Sequence, residues 1–287
     1  MRDYWVRAMD ARGHLRLCVI HLRDTVQRAR DLHNCSPTAT ASMMGSEIKN
    51  PAGSLTLKID GGGPLGALLC VSDSLGRVRG YAENPGADLP PRGDGKLDVG
   101  GLVGREGYIQ VIRDLGMGEP YLGRVSLRSG EIAEDVTGYF AQSEQLPTVC
   151  ALGVRVSRDY SVLSAGGLLL QVLPGAPEDI FDQVEARIAG MRPVSELLES
   201  GMTPEDIALT LLPGLDMRLL PGGRGEVSYD CKCSRARVAA ALRSMGRAEL
   251  HPLALEQEGR EVEITCQFCD KVYYFTSKEL AGMADTL

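Results

Sequence analysis

At 287 residues the chain accommodates one large domain with a small one, or two of medium size. Its 44% hydrophobic and 24% charged residues are ordinary globular values, and with only 5% aromatics the core must rest on Leu, Val, Ile and Ala. No apolar run approaches the roughly 20 residues that span a bilayer, residues 1–7 carry no apolar leader core, and a net charge of −7 argues against generic nucleic-acid binding. The reading is therefore a cytoplasmic protein with no nucleic-acid and no membrane partner.

Taken in chain order, residues 14–20 alternate as a strand and His21 to His33 reads as a polar amphipathic helix. Leu55, Leu57 and Ile59 share one face of a strand that breaks at Gly61-Gly62-Gly63-Pro64. Strands at 67–71 and 77–82 flank Asp73-Ser-Leu-Gly, a hairpin signal, and 84–95 reads as a loop. Strands follow at 108–113 and 123–127, a helix at 131–145, and apolar strands at 149–156 and 167–173. Many strands with few helices predict an α+β sheet domain over residues 1–174.

Pro174-Gly-Ala-Pro177 changes the texture. Residues 177–189, 195–199 and 203–207 read as short helices, the last with Thr203 as N-cap and Pro204 next. With a connector at 215–225, they predict a helical linker over 175–225, and residues 226–287 form a small C-terminal domain.

That domain holds the chemistry. Cys231-Lys-Cys233 and Cys266-Gln-Phe-Cys269 are separated by 32 residues. Closely spaced cysteine pairs on turns each supply two thiolates to a tetrahedral metal, so the expectation is one Zn2+ held by Cys231, Cys233, Cys266 and Cys269. The second pair lies between strand-like runs at 261–265 and 271–275. The first precedes a helix with Ser234 as its N-cap, where helix polarity favours thiolate. From Tyr229 onward, eight Lys/Arg face nine Asp/Glu, so the region is about −1 and has no basic excess for a polyanion. Taken alone, an all-cysteine site is most often structural. The spacing also permits a switch, because oxidation would remove ligands from a domain whose folding energy is metal-binding energy. The other cysteines (Cys18, Cys35, Cys70 and Cys150) are scattered and read as small core hydrophobes.

These motifs resemble the thirty-three-kilodalton chaperonins, redox-regulated bacterial holdases. The likeness rests on Tyr229-Asp-Cys-Lys-Cys-Ser-Arg, Thr265-Cys-Gln-Phe-Cys and Tyr273-Tyr-Phe in the tail. In the body it rests on Ser36-Pro-Thr-Ala-Thr-Ala, Leu57-Lys-Ile-Asp-Gly-Gly-Gly-Pro-Leu-Gly, Tyr139-Phe-Ala-Gln-Ser-Glu-Gln-Leu-Pro-Thr and Ala165-Gly-Gly-Leu-Leu-Leu-Gln-Val. The resemblance implies that the reduced, zinc-bound protein is inactive. It further implies that oxidation links Cys231 with Cys233 and Cys266 with Cys269, expels zinc and unfolds the tail and linker. The exposed surface then binds unfolding client proteins without ATP, usually as a homodimer. One departure is that the segment between Thr40 and Leu55 is about three helical turns shorter than the resemblance leads one to expect.

Other sites read as bland. Gly61-Gly-Gly-Pro lacks the Lys-Ser/Thr of a phosphate loop, the four histidines show no paired ligand spacing, and no Gly-x-Ser-x-Gly elbow occurs. Glu131, Glu134 and Asp135 read as a solvated acidic helix face. Nothing supports an enzyme, and the alternative to the chaperone is a zinc-ribbon interaction protein with a permanently structural metal.

Overall fold

The computed structural model describes residues 2–33, 38–93, 96–159, 161–256 and 259–286. Cys35, the Ser36-Pro37 start of one family motif and part of the 84–95 loop lie outside the described residues. The chain divides into two compact units, Met1–Asp230 and Cys231–Leu287.

The first unit begins with β1 (Tyr4–Asp10), β2 (Leu15–His21), α1 (Arg23–His33) and α2 (Thr38–Gly45). It continues through β3 (Ser54–Gly62), β4 (Leu68–Asp73), β5 (Arg77–Ala82), α3 (Val99–Val103), β6 (Gly104–Asp114) and β7 (Tyr121–Ser126). After α4 (Ile132–Tyr139) and a π-helical turn come β8 (Thr148–Val156) and β9 (Val162–Val172). The unit closes with α5 (Ile180–Ala189), α6 (Val194–Glu199), α7 (Pro204–Thr210), β10 (Met217–Glu226) and β11 (Ser228–Tyr229). The expected α+β class is what the structure shows.

Two sheets organise this unit. One has the order β10-β1-β2-β9-β8 and is antiparallel throughout. The other runs β11-β5-β4-β3-β6-β7, with only β11 parallel to its neighbour. Helices α1, α2 and α4 fill the space between the sheets. Their Val26, Met43, Met44 and Val136 share one core with Ile20 and Leu169 of the first sheet and Leu55, Leu57 and Ile59 of the second. Alternation in β3 thus reports a strand with one face in this core, whereas β9 is apolar on both faces because both are covered. All of α2 is buried, and its small residues admit the close approach: a Cβ at Gly45 would meet Ser72.

Residues 175–225, read in sequence as a linker, pack as structure here. Ile180, Val184, Val194, Leu198, Ile207 and Leu211 share a core with Val6, Leu17, Val19, Leu168 and Leu170 on the other face of the first sheet. Thr203 caps α7 in a capping box with Asp206. The Tyr4 hydroxyl donates to Glu205 at 2.6 Å, and Arg224 pairs with the same carboxylate at 2.9 Å. The expected connector at 215–225 is largely edge strand β10, and the boundary between units falls after Asp230 rather than near 225.

The second unit contains α8 (Arg235–Ser244), α9 (Arg247–Glu256), the hairpin of β12 (Glu261–Thr265) and β13 (Val272–Thr276), and α10 (Ser277–Asp285). Its core among the described residues is Ala239, Leu242, Leu250, Ala254, Tyr273, Phe275, Leu280 and Ala284. Three of these eight are alanines, so the unit buries little apolar surface for its length. No described helix of the chain is long and apolar enough to cross a membrane.

The acidic cluster on α4 needs correction. Asp135 is only 2% exposed, and its carboxylate accepts from the backbone N–H groups of Arg128, Ser129 and Gly130 at 2.7, 3.3 and 2.9 Å. It holds the loop that enters the helix, while Glu131 pairs with Arg92 at 3.0 Å. Asp135→Ala would leave three donors without their acceptor, and it is expected to destabilise the first unit by about 3 kcal/mol. Urea unfolding followed by Trp5 fluorescence measures this, and a loss below about 1 kcal/mol would show the carboxylate to be dispensable.

Candidate metal centre

Local structure brings each cysteine pair into place. Cys266 directly follows β12, and the chain turns before β13 through hydrogen bonds from the N–H groups of Cys269 and Asp270 to the Cys266 carbonyl, at 3.2 and 2.8 Å. Asp270 takes φ 57°, the left-handed conformation that reverses the chain. The Cys266 N–H closes the turn on the Lys271 carbonyl at 2.9 Å. Cys231 and Cys233 lie on the extended segment entering α8, whose N-cap Ser234 accepts from the Arg237 N–H at 3.3 Å. The expected hairpin, helix and cap are all present.

The four sulfurs lie within 4.8 Å of one another. Cys231 Sγ is 3.6 Å from Cys266 Sγ, and Cys233 Sγ is 3.4 Å from Cys269 Sγ. A tetrahedron with arms of about 2.3 Å has edges of about 3.8 Å, so this cluster needs only small adjustments to enclose one zinc-sized ion. The donor set fits as well: four soft ligands and no carboxylate among them. All four are partly exposed, which leaves a path for metal and oxidant.

Surrounding groups stabilise negative sulfur unevenly. The backbone N–H groups of Cys233 and Lys271 hydrogen-bond Cys231 and Cys269. In the metal-free thiols, burial pushes Cys231 and Cys269 upward despite those bonds. Burial acts in the same sense on Cys233, but hydrogen bonds from the Tyr273 hydroxyl and the neighbouring thiols outweigh it and bring Cys233 down to about 7. The Tyr273 hydroxyl donates to Cys233 Sγ at 3.0 Å, and this acceptor holds its own proton to about 12. The expectation named four ligands but not this tyrosine. Its signal lay in β13 alternation, which turns Tyr273 inward and leaves Tyr274 48% exposed.

The remaining cysteines and candidate sites settle differently. Cys18, Cys70 and Cys150 are buried, and burial lifts Cys18 and Cys150 to about 12, so they stay protonated at neutral pH. His21 Nδ1 lies 3.3 Å from Asp3, whose carboxylate also accepts from the N–H groups of Asp24 and Thr25 and so caps α1. The glycine run at 61–63 passes tightly against residues 102–104, where a Cβ at Gly61 or Gly63 would collide with backbone carbonyl oxygens. Close backbone packing therefore explains these glycines.

A two-sheet domain followed by a small four-sulfur module defines the class of protein. The family described as Hsp33 protein matches residues 3–276. A 33 kDa chaperonin of Clostridioides difficile is 42% identical over 98% of this chain and 98% of its own. One of Acetivibrio thermocellus is also 42% identical, over 98% and 96%. The crystal structure of a 33 kDa chaperonin (heat shock protein 33 homolog) from Thermotoga maritima matches with a TM-score of 0.85 at 29% identity, covering 100% of this chain and 99% of that one. The chain belongs to the Hsp33 family of chaperonins.

If the metal holds the second unit together, chelation should abolish amide-exchange protection across residues 231–286 while Trp5 fluorescence, from the first unit, stays unchanged. Protection that survives full metal removal would mean the small core suffices. Cys231→Ser should weaken metal binding by about 100-fold, roughly a quarter of a total near 12 kcal/mol, as measured by competition with a chromophoric chelator. Unchanged affinity would remove Cys231 from the ligand set.

Proposed function

We propose that this protein is a redox-gated, ATP-independent holdase that binds unfolding proteins under oxidative stress. The observation that carries the reading is the conjunction of four convergent thiols with a small core, three of whose eight described residues are alanine. In the reduced state Zn2+ is held by Cys231, Cys233, Cys266 and Cys269, and the protein is inactive. The ion supplies charge that lets four thiolates coexist.

Oxidation then dismantles the site. A thiolate sulfur attacks one oxygen of hydrogen peroxide, the O–O bond breaks, and a sulfenic acid forms with release of hydroxide. A second thiolate attacks that sulfur and expels another hydroxide, so two thiolates and one peroxide give one disulfide and two hydroxides, which take up protons from water. Repetition on the second pair consumes a second peroxide. The proposed products are Cys231–Cys233 and Cys266–Cys269. In the folded cluster, sulfurs of different pairs also lie close, Cys231 to Cys266 at 3.6 Å and Cys233 to Cys269 at 3.4 Å. Local pairing is favoured once the metal leaves, because a loop of two or three residues stays closed while one of more than thirty opens.

Loss of zinc unfolds the C-terminal unit, and in this reading the 175–225 segment loosens with it. Its helices cover Val6, Leu17, Val19, Leu168 and Leu170, and uncovering that apolar face would offer unfolded clients a surface. The active form is a homodimer, and the reducing cytoplasm is the compartment in which such thiols rest reduced.

Peroxide at elevated temperature, or hypochlorous acid, should release one zinc per chain and, in the same samples, suppress aggregation of a thermally unfolded client. Zinc release without any suppression would overturn the chaperone reading in favour of a structural zinc module. Non-reducing peptide mapping should recover the two local disulfides, and cross-linked peptides joining 231 or 233 to 266 or 269 would overturn the pairing.

A further inference from the structure

One sulfur of the metal centre is held by a side-chain hydroxyl. Tyr273 is 7% exposed, packed in the core of the second unit beside Cys233 and Cys266. Its ring is fixed there by β13, with Ile264 opposite it across the hairpin and the Lys271 ammonium 5.5 Å from the ring centroid. From that position its hydroxyl reaches a single sulfur, Cys233, at 3.0 Å. A hydroxyl donating to a thiolate withdraws electron density from it, and a bond to an ionised acceptor is among the stronger hydrogen bonds.

We propose that Tyr273 is a positioning residue that lowers the nucleophilicity of Cys233 and so directs oxidation away from that sulfur. The part concerning oxidation rests on the redox reading above, whereas the hydrogen bond and its effect on the sulfur do not. With metal bound every sulfur is already deprotonated, so thiolate fraction no longer distinguishes them and intrinsic nucleophilicity does. Attack rates follow sulfur basicity with a slope near 0.4–0.5, so a tenfold decrease in basicity slows attack by about threefold. Oxidant is thereby steered toward the three sulfurs that lack a side-chain hydroxyl donor among the described residues. First attack there would still open the centre, since loss of any one ligand weakens the hold on the ion.

Tyr273→Phe removes the donor and keeps the ring. Zinc-loaded, reduced full-length protein is treated with limiting iodoacetamide, and modification at each cysteine is resolved by peptide mass spectrometry. The Phe variant should alkylate Cys233 roughly three- to tenfold faster relative to Cys266, with the rates at the other three sulfurs held within twofold. In the cobalt-substituted proteins the sulfur-to-metal charge-transfer band should move to longer wavelength, as a more electron-rich thiolate requires. Tyr274→Phe, on the exposed face of the same strand, should change neither. A uniform acceleration at all four cysteines with an unmoved band would make Tyr273 merely structural, and an unchanged Cys233 to Cys266 ratio would overturn the proposal outright. Limiting peroxide then separates the two readings. If the Phe variant shifts its alkylation ratio and band but neither protein loses zinc to peroxide, the tuning stands and both redox gating and the steering of oxidation fail.

Discussion

Four sulfurs within 4.8 Å cannot all be negative without a cation. Each thiolate pair at such a distance repels by about 4 kcal/mol at an effective dielectric of 20, and a tetrahedron contains six pairs. Without metal the cluster must hold protons, and the upward displacement of Cys231 and Cys269 beside the downward displacement of Cys233 describes that sharing. With metal the same arrangement becomes favourable, and it ties the segment before α8 to the turn of the β12–β13 hairpin. These two pieces of chain are 32 residues apart in sequence, so the centre closes the loop that carries α8, α9 and β12.

The first unit shows the contrast. Helices on both faces of one sheet give it two extensive apolar cores. Its described cysteines, Cys18, Cys70 and Cys150, are buried, and Cys18 and Cys150 are held protonated, which protects them chemically as well as sterically. In the proposed reading an oxidant meets reactive sulfur at the four-cysteine centre, whereas the described cysteines of the first unit are shielded. That division would let the second unit unfold while the sheets of the first stay folded.

Sequence legibility followed the range of the interactions. β3 was readable because alternate residues share one face, and the helix at 23–33 because of its polar amphipathic pattern. β1 was missed because most of its seven residues are buried and little alternation survives. β10 was missed because Pro221, Gly222 and Gly223 look like a loop. They occupy a register irregularity between the pairings of Val6 and Ala8, a place where an edge strand tolerates them. The helices after residue 174 read as a linker because their apolar sides are short and find their partner only in a sheet assembled from distant strands. Asp135 was misread for a similar reason, since a carboxylate that caps a loop looks in sequence like one facing water. The four cysteines stood out because their spacing is local, whereas the contact from Tyr273 depends on strand register.

The geometry also bears on how a switch built this way would hold its state. In the folded cluster the two pairs interleave, with Cys231 beside Cys266 and Cys233 beside Cys269. A disulfide inside either pair must draw two sulfurs to about 2.05 Å, far inside the roughly 3.8 Å edge that a metal needs, and it removes both as thiolate donors. Refolding around the ion then requires electrons first, because neither heat nor added zinc supplies two thiolates. In the proposed reading the eight core residues among those described, three of them alanine, would not pull the chain back by themselves. The unfolded state would persist until a reductant arrives, which gives the device a memory set by redox chemistry.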